Sequence, residues 1–355
     1  MPNAESLKRY KRNYGARKAP PLTTAEANSA LDALMARSER QELERLRADE
    51  AARERASRKR FEPRVIPVED HLAESPGFPM TIWSDWHWGE TVDLDETGGV
   101  NEFNLDIALA RVDRLVNGTI NLLRNYGGLS PSYPGIYVCL GGDILSGGIH
   151  DELVETNWAP AVGQAFEAAA VIAGGLQRMA EEFGNVYVPC VVGNHGRNAK
   201  KPRAKLRIRE NSEYYLYKAL ERHFADDPRI HFTVAEQTDV PFEVYGHRFL
   251  LTHGDALGTK GGDGIIGAIG PIQRGAVKIG TAERHVQRGF DTMIVGHWHS
   301  AQPRGDLFPV IVNGTLKGYD EYARTFLRAP PGKPSQQLWL VSPKHGIGAQ
   351  WSVNL

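Results

Sequence analysis

Cysteine is scarce in this chain. Its 355 residues include two, Cys139 and Cys190, which is too few for a disulfide framework, and both sit inside apolar runs where they read as small buried hydrophobes. Long apolar stretches are lacking as well. No run approaches the roughly 20 residues that a bilayer-spanning helix needs, so no membrane partner is expected. The opening "MPNAESLKRYKRNYGARKAPP" has no apolar core of the kind that marks a secretory leader. A reducing, cytoplasmic setting is the expectation. Nor is there a large excess of either charge: the net charge is −1, with 41% hydrophobic and 24% charged residues, the balance of an ordinary globular protein.

That average hides an asymmetry. The first 60 residues carry 15 Lys and Arg against 9 Asp and Glu, and the remainder is acidic by seven. Residues 1–22 are basic and rich in turn-formers and read as a disordered arm. Residues 23–62 read as a charged helical extension. Thr23 and Glu26 have the spacing of a capping box, with Leu22 placed as a staple, and no Pro or Gly follows until Pro63. The apolar residues of this helix (Leu31, Leu34, Met35, Leu43, Leu46) form a thin stripe that holds no heptad. Such a helix has no core of its own and calls for a protein partner or self-association.

Residues 63–355 form the main domain. Apolar segments that read as buried strands ("MTIWS", "GIYVCLG", "VYVPCVVG", "RFLLTHG", "DTMIVGH", "LFPVIVNG") alternate with the helical segments "NLDIALARVDRLVNGTINLLRNY" and "AVGQAFEAAAVIAGGLQRMAEEF". This alternation predicts an α/β architecture. The C-terminal "QQLWLVSPKHGIGAQWSVNL" reads as strands that close a second sheet.

Five of these strands end on potential metal ligands. The first runs into Asp85 and His87 ("SDWHWGE"), the second into Asp143 ("GGD") and the third into Asn194 and His195 ("GNH"). The fourth ends at His253 and Asp255 ("THGD"), the fifth at His297 and His299 ("GHWH"). Sites in open α/β sheets assemble at the carboxyl ends of strands. Two divalent ions about 3.5–4 Å apart need a bridging anionic oxygen and about three further ligands each. Asp143 suits the bridge, and neutral imidazoles complete the shells without cancelling the metal charge. The adjoining glycines (Gly142, Gly193, Gly254, Gly296) permit tight turns and close backbone approach.

D-x-H, G-D, G-N-H, H-G-D and G-H-x-H, in this order across residues 85–299, resemble the calcineurin-like metallophosphoesterase superfamily, over roughly residues 78–355. The resemblance implies a four-layer α/β/β/α sandwich, here with the N-terminal helical extension added. It implies one metal on Asp85, His87, Asp143 and His299, and a second on Asp143, Asn194, His253 and His297. His195 would contact the phosphate and serve as general acid, and a hydroxide bridging the metals would attack phosphorus. Manganese is the leading expectation; Fe, Zn, Ni and Co suit the same ligands. Two departures argue against the protein Ser/Thr phosphatase branch. Ser146 stands where that branch has a second Asp, and Gly196 where it has a Glu. Nuclease-like and phage-type members are closer.

The run "RNAKKPRAKLRIR" follows His195 directly. It holds Arg197, Lys200, Lys201, Arg203, Lys205, Arg207 and Arg209, with no acid before Glu210. Cations beside a phosphate-cleaving centre suit a polyanionic substrate, so Arg197, Lys200, Lys201, Arg203 and Lys205, with His150 nearby, are candidate substrate contacts. Trp86, Trp88 and Trp298 interleave with the ligands and read mostly as packing, with base stacking the alternative. The glycine-dense "GTKGGDGIIGAIG" could form a flap, and lacks the ending of a P-loop. The expected activity is hydrolysis of nucleic-acid phosphodiester bonds. A phosphatase or phosphodiesterase for a nucleotide-like small molecule is the alternative, a metal-binding but inactive scaffold or a non-catalytic interaction protein the outside readings.

Overall fold

The computed structural model describes residues 23–57, 76–126, 132–258, 269–301 and 309–355. The chain divides into two units, residues 1–69 and 70–355. The first unit contains helix α1, Thr24–Ser57. Its start is fixed as the sequence predicts: Thr23 Oγ1 and backbone N both donate to Glu26 at 2.8 and 2.9 Å. The apolar side chains from Leu31 to Leu46 are exposed along it. The arm at residues 1–22, the staple at Leu22 and most of the expected flap lie outside the described residues.

The second unit is a mixed α/β structure. Its strands are β1 (Phe78–Trp83), β2 (Ile136–Leu140), β3 (Val186–Cys190), β4 (Ile230–Val234), β5 (Val240–Val244), β6 (His247–Thr252), β7 (Thr292–Val295), β8 (Val310–Val312), β9 (Ser335–Ser342) and β10 (Gly346–Asn354). They form a six-stranded sheet in the order β10-β9-β1-β2-β3-β4 and a four-stranded sheet in the order β5-β6-β7-β8. β1 to β4 run parallel, as do β6 to β8. Parallel strands buried on both faces need unbroken apolar sequence, and "MTIW", "YVCL" and "TMIV" supply it.

The principal helices are α2 (Leu105–Tyr126), the short α3 (Asp151–Thr156), α4 (Ala161–Phe183), α5 (Ser212–His223) and α6 (Ile269–His285). Three apolar clusters account for the packing. In the first, Leu115 and Leu123 of α2, Ile172 and Leu176 of α4 and Tyr217 of α5 meet Trp83, Val138 and Val188 of the six-stranded sheet. In the second, Met80, Ile82, Cys139, Trp339 and Val341 of that sheet meet Phe249, Leu251 and Ile294 of the other. In the third, Leu250, Met293 and Val310 meet Ile272 and Ala276 of α6. Cys139 and Cys190 are free and buried, and burial raises both thiols above their ordinary range.

One expectation is corrected. The C-terminal strands do not close the second sheet. β9 lies antiparallel against β1, with Met80 opposite Trp339, and β10 pairs with β9 at the edge of the same sheet. Alternate residues of β9, Trp339 and Val341, then point into the layer between the sheets. Trp339 is wholly buried there. Trp339→Ala is therefore expected to cost about 3–5 kcal/mol of folding stability, measured by urea denaturation, whereas Trp351→Ala, at a half-buried position on β10, costs much less.

Candidate metal centre

Every predicted ligand lies just past the carboxyl end of a parallel strand. Asp85 and His87 follow β1, Asp143 follows β2, and Asn194 and His195 follow β3, all in the six-stranded sheet. His253 follows β6, and His297 and His299 follow β7, in the four-stranded sheet. The centre sits where the ends of the two sheets meet. His/Asp groups that could hold a metal ion form here: Asp85, His87 and His299; Asp143, His253 and His297; and His87, Asp143 and His195. Asn194 joins through its Oδ1, 3.2 Å from His253 Nε2.

The backbone is strained at these residues. Asp85, His87, Asp143, His297 and His299 all have φ between 48° and 65°, five of the nine non-glycine residues with positive φ among the described residues. Left-handed backbone costs an L-residue roughly 1–3 kcal/mol and collects at functional sites. Here the cost is offset by buried hydrogen bonds between loops. Asp85 N donates to Gly142 O and His87 N to Asp143 O. His195 N donates to Asp143 Oδ1 at 2.7 Å, and His297 N to Asp85 Oδ1 at 2.8 Å. Gly193 and Gly296 are required for closeness: a Cβ on either would overlap the carboxylate of Asp143 or Asp85.

The ring nitrogens are arranged for ligation. His253 Nδ1 lies 2.9 Å from Gly141 O and His195 Nδ1 2.9 Å from Ser146 O. A carbonyl only accepts, so both Nδ1 atoms carry hydrogen and both Nε2 atoms are left facing the centre. The Ser146 carbonyl thus orients His195. His87 Nε2 and His299 Nε2 approach to 3.0 Å, while His87 Nδ1 faces Glu90 Oε2 at 3.3 Å. Two imidazole nitrogens at that separation repel unless a proton or a cation lies between them, and a divalent ion fits this donor set of imidazole, carboxylate and amide.

Protonation agrees with that fit at most positions. Burial, and then the charge of Lys317, push His87 well below its ordinary value. Burial, and then His253, lower His297 to about 4. Burial also lowers His195, partly offset by Asp143. These imidazoles are neutral near pH 7 with lone pairs available. His253 differs: burial opposes its charge, but Asp143, 3.0 Å away, raises it to about 10. Without an ion, His253 and Asp143 form an ion pair that a cation must displace, so binding releases a proton.

Several residues that hold the centre are not marked by the motifs. Glu213 on α5 is buried and accepts from Gly193 N at 2.7 Å and Leu145 N at 3.1 Å, joining the loops after β2 and β3. Glu90 and Asp320 flank Lys317 Nζ at 2.6 Å each. Burial alone would discharge Lys317, yet the two carboxylates hold it above its ordinary value. Behind Asp85, Gln336 of β9 accepts from Ser84 N, and Asn313 Nδ2, beyond β8, donates to Ser84 Oγ. Glu90 follows His87 by three residues and could be suspected from "DWHWGE"; the others have no local signal.

The predicted substrate contacts divide. Arg197 donates to the carbonyls of Asn194, Ala199 and Lys200 and braces its own loop. Lys200 pairs with Asp151, Arg207 with Asp255, and Arg209 with Glu236. Lys201, Arg203 and Lys205 are exposed. Lys201 and Arg203 line a small pocket with Asn194, Arg197 and Arg207, and Lys205 lies outside that lining. His150 is exposed, with its ring 5.7 Å from that of His195. Trp86 and Trp88 are wholly buried and cannot stack on a ligand; Trp298 is half-buried.

Glu213 generates a pH prediction. Burial, and then Asp143, push it up to about 7. An acid raised in the folded state stabilises the fold below its unfolded value of 4.5, and that contribution is lost as pH rises through about 7. In protein stripped of metal with a chelator, wild type should lose stability over this window relative to Glu213→Gln. Urea unfolding of both at pH 4.5 and 7.5 measures it.

No family model matches the chain, and no curated protein matches it.

Proposed function

We propose that this chain is a two-metal phosphoesterase of the calcineurin-like type, hydrolysing phosphodiester bonds of nucleic acid. The observation that carries the reading is the convergence of five strand ends from two sheets, with left-handed backbone at five of the seven ligand positions. Strain of that kind persists only where its surroundings over-determine it. The three apolar clusters support an α/β/β/α sandwich with the centre at one end.

Asp85, His87, Asp143 and His299 would hold one divalent ion, and Asp143, Asn194, His253 and His297 the second, manganese being the leading candidate. Such a pair, when bound, supplies an acidified water and positive charge for the phosphate oxygens. The chain's own groups do the rest. His195, with Nδ1–H fixed on Ser146 O, presents Nε2 toward the centre. Burial keeps free His195 neutral, so Nε2 would take up a proton when an anionic phosphoester binds beside it and would give that proton to the departing ester oxygen. Lys201 and Arg203 beside Asn194 would take neighbouring phosphates.

A second reading, a small nucleotide-like phosphoester as substrate, is favoured by one observation. Four of the seven cations after His195 are already engaged within the fold.

Two measurements test the proposal. Elemental analysis should find two metals per chain in wild type and fewer in Asp143→Asn, and His195→Ala should keep its metals while losing roughly 10²–10⁴ in rate. The substrate test uses the Mn²⁺-loaded protein on single-stranded DNA, RNA and a small diester reporter. Replacing Lys201, Arg203 and Lys205 by alanine should flatten the slope of log affinity against log salt by about 2, at roughly 0.7 per lost contact. It should also raise KM for oligonucleotides relative to the reporter. An unchanged slope and an unchanged KM ratio would move the assignment to the small-molecule reading.

A further inference from the structure

Arg207 differs from the other cations of its run in how the backbone presents it. Leu206 before it has φ 60°, left-handed backbone on a bulky residue, and a side chain that is 67% exposed. Ile208 after it is buried in the first apolar cluster. The chain thus accepts strain at Leu206 without burying that leucine in return. What the bend delivers is the Arg207 guanidinium. Its Nη2 donates to both oxygens of Asp255, at 2.7 and 2.8 Å. Asp255 stands two residues beyond the candidate ligand His253, so the pair ties the loop after β3 to the loop after β6.

That ion pair leaves donors over. A guanidinium carries five N–H groups in one plane, and Asp255 takes only those of Nη2. Arg207 Nε is buried and meets no acceptor among the described residues, a costly state for a charged donor. Arg207 lines the small pocket that also includes Asn194, Arg197, Lys201 and Arg203. Asn194 is itself a candidate ligand, so this pocket adjoins the centre. Arg197 is fixed in the lining by the carbonyls of Asn194, Ala199 and Lys200, which bond its guanidinium without cancelling its charge. It lies within electrostatic reach of both Arg207 and Asp143. Two fixed guanidiniums so placed repel, and an anion between them relieves the repulsion. Glu210 is the one acid in the lining, against four cations. Asp255 and Asp239, the acids within reach of Arg207, are not part of it.

We propose that Arg207, held by Asp255, and Arg197 form a binding site for a second phosphate of the substrate, adjacent to the phosphate that is cleaved. The proposal rests on the two-metal phosphoesterase reading and narrows it to substrates that carry such a phosphate. Exposed lysines supply charge but little geometry. A guanidinium held by a carboxylate supplies both, because its planar donors match the oxygens of a phosphate. Asn194 belongs to the centre and to the pocket, so one substrate can occupy the two together. The second phosphate is either an internal linkage of a strand or a terminal phosphate, since both present the same oxygens.

The first measurement is independent of metal. Inorganic phosphate is titrated calorimetrically into the chelator-treated full chain, with chloride at equal ionic strength as the blank. Wild type should bind at one site, and Arg207→Ala should weaken that binding roughly 10–100-fold, the worth of charge-assisted hydrogen bonds. Arg207→Ala leaves Asp255 unpaired, so Arg207→Ala/Asp255→Ala, which removes both charges, should show the same loss at a wild-type thermal midpoint. Arg209→Ala removes a cation of the same run outside the pocket and should bind phosphate as wild type does. The second measurement uses Mn²⁺-loaded protein on TpT, pTpT, TpTp and TpTpT, in which a second phosphate is absent, at either end, or internal. Wild type should favour at least one of the last three over TpT by about tenfold or more in kcat/KM, and Arg207→Ala should abolish that preference. The favoured substrate tells a terminal phosphate from an internal linkage. Phosphate binding that is absent, or equal in wild type and Arg207→Ala, would overturn the pocket and leave the phosphoesterase reading standing. So would a substrate preference that survives Arg207→Ala, or an equal loss in Arg209→Ala. Arg207-dependent phosphate binding in a chain that holds no metal would keep the pocket and overturn the proposed function.

Discussion

Two buried carboxylates organise the end of the second unit where its sheets meet. Asp85 takes the amide of His297, which belongs to the other sheet, and Asp143 takes the amide of His195 from the next strand of its own sheet. A buried carboxylate must be supplied with donors. These bonds supply them from the loops that carry the remaining candidate ligands, so satisfying the acids and assembling the centre are one process. The left-handed backbone at Asp85, Asp143 and three of the histidines follows from it: the chain must turn sharply out of each strand to bring a side chain and an amide to the same place.

The surrounding network has the same logic at longer range. Glu213 ties Gly193 to Leu145, Lys317 lies between Glu90 and Asp320, and Asn313 reaches Ser84 and Gln336. Each joins loops or strands distant in sequence. Charges buried in this way do little for net stability, because desolvation offsets much of the attraction. They fix orientation, as carboxylates beside ligating imidazoles do. The His253–Asp143 pair shows the consequence: without a cation the two groups are held together by a proton, the role that a bound cation would take over.

The cationic run after His195 has a different character in the fold from the one its composition suggests. Arg197 serves its own loop, and Lys200, Arg207 and Arg209 meet carboxylates. Charge counts along a sequence record how many cations are present, and the fold decides how many remain for a ligand.

The sequence by itself determined the alternation of buried strands and helices, the capping of α1 by Thr23 and Glu26, and all seven candidate ligands with His195. Each of these is written in local pattern: apolar runs, helical periodicity, and short polar motifs directly after a strand. Only the tertiary structure decided that the C-terminal strands join β1 and that Glu213, Lys317 and Gln336 brace the centre. Those outcomes depend on which distant segments meet. A buried lysine or glutamate reads the same in one dimension as an exposed one, and its environment comes into being only when strands separated by some 250 residues, Ser84 and Gln336 among them, lie side by side.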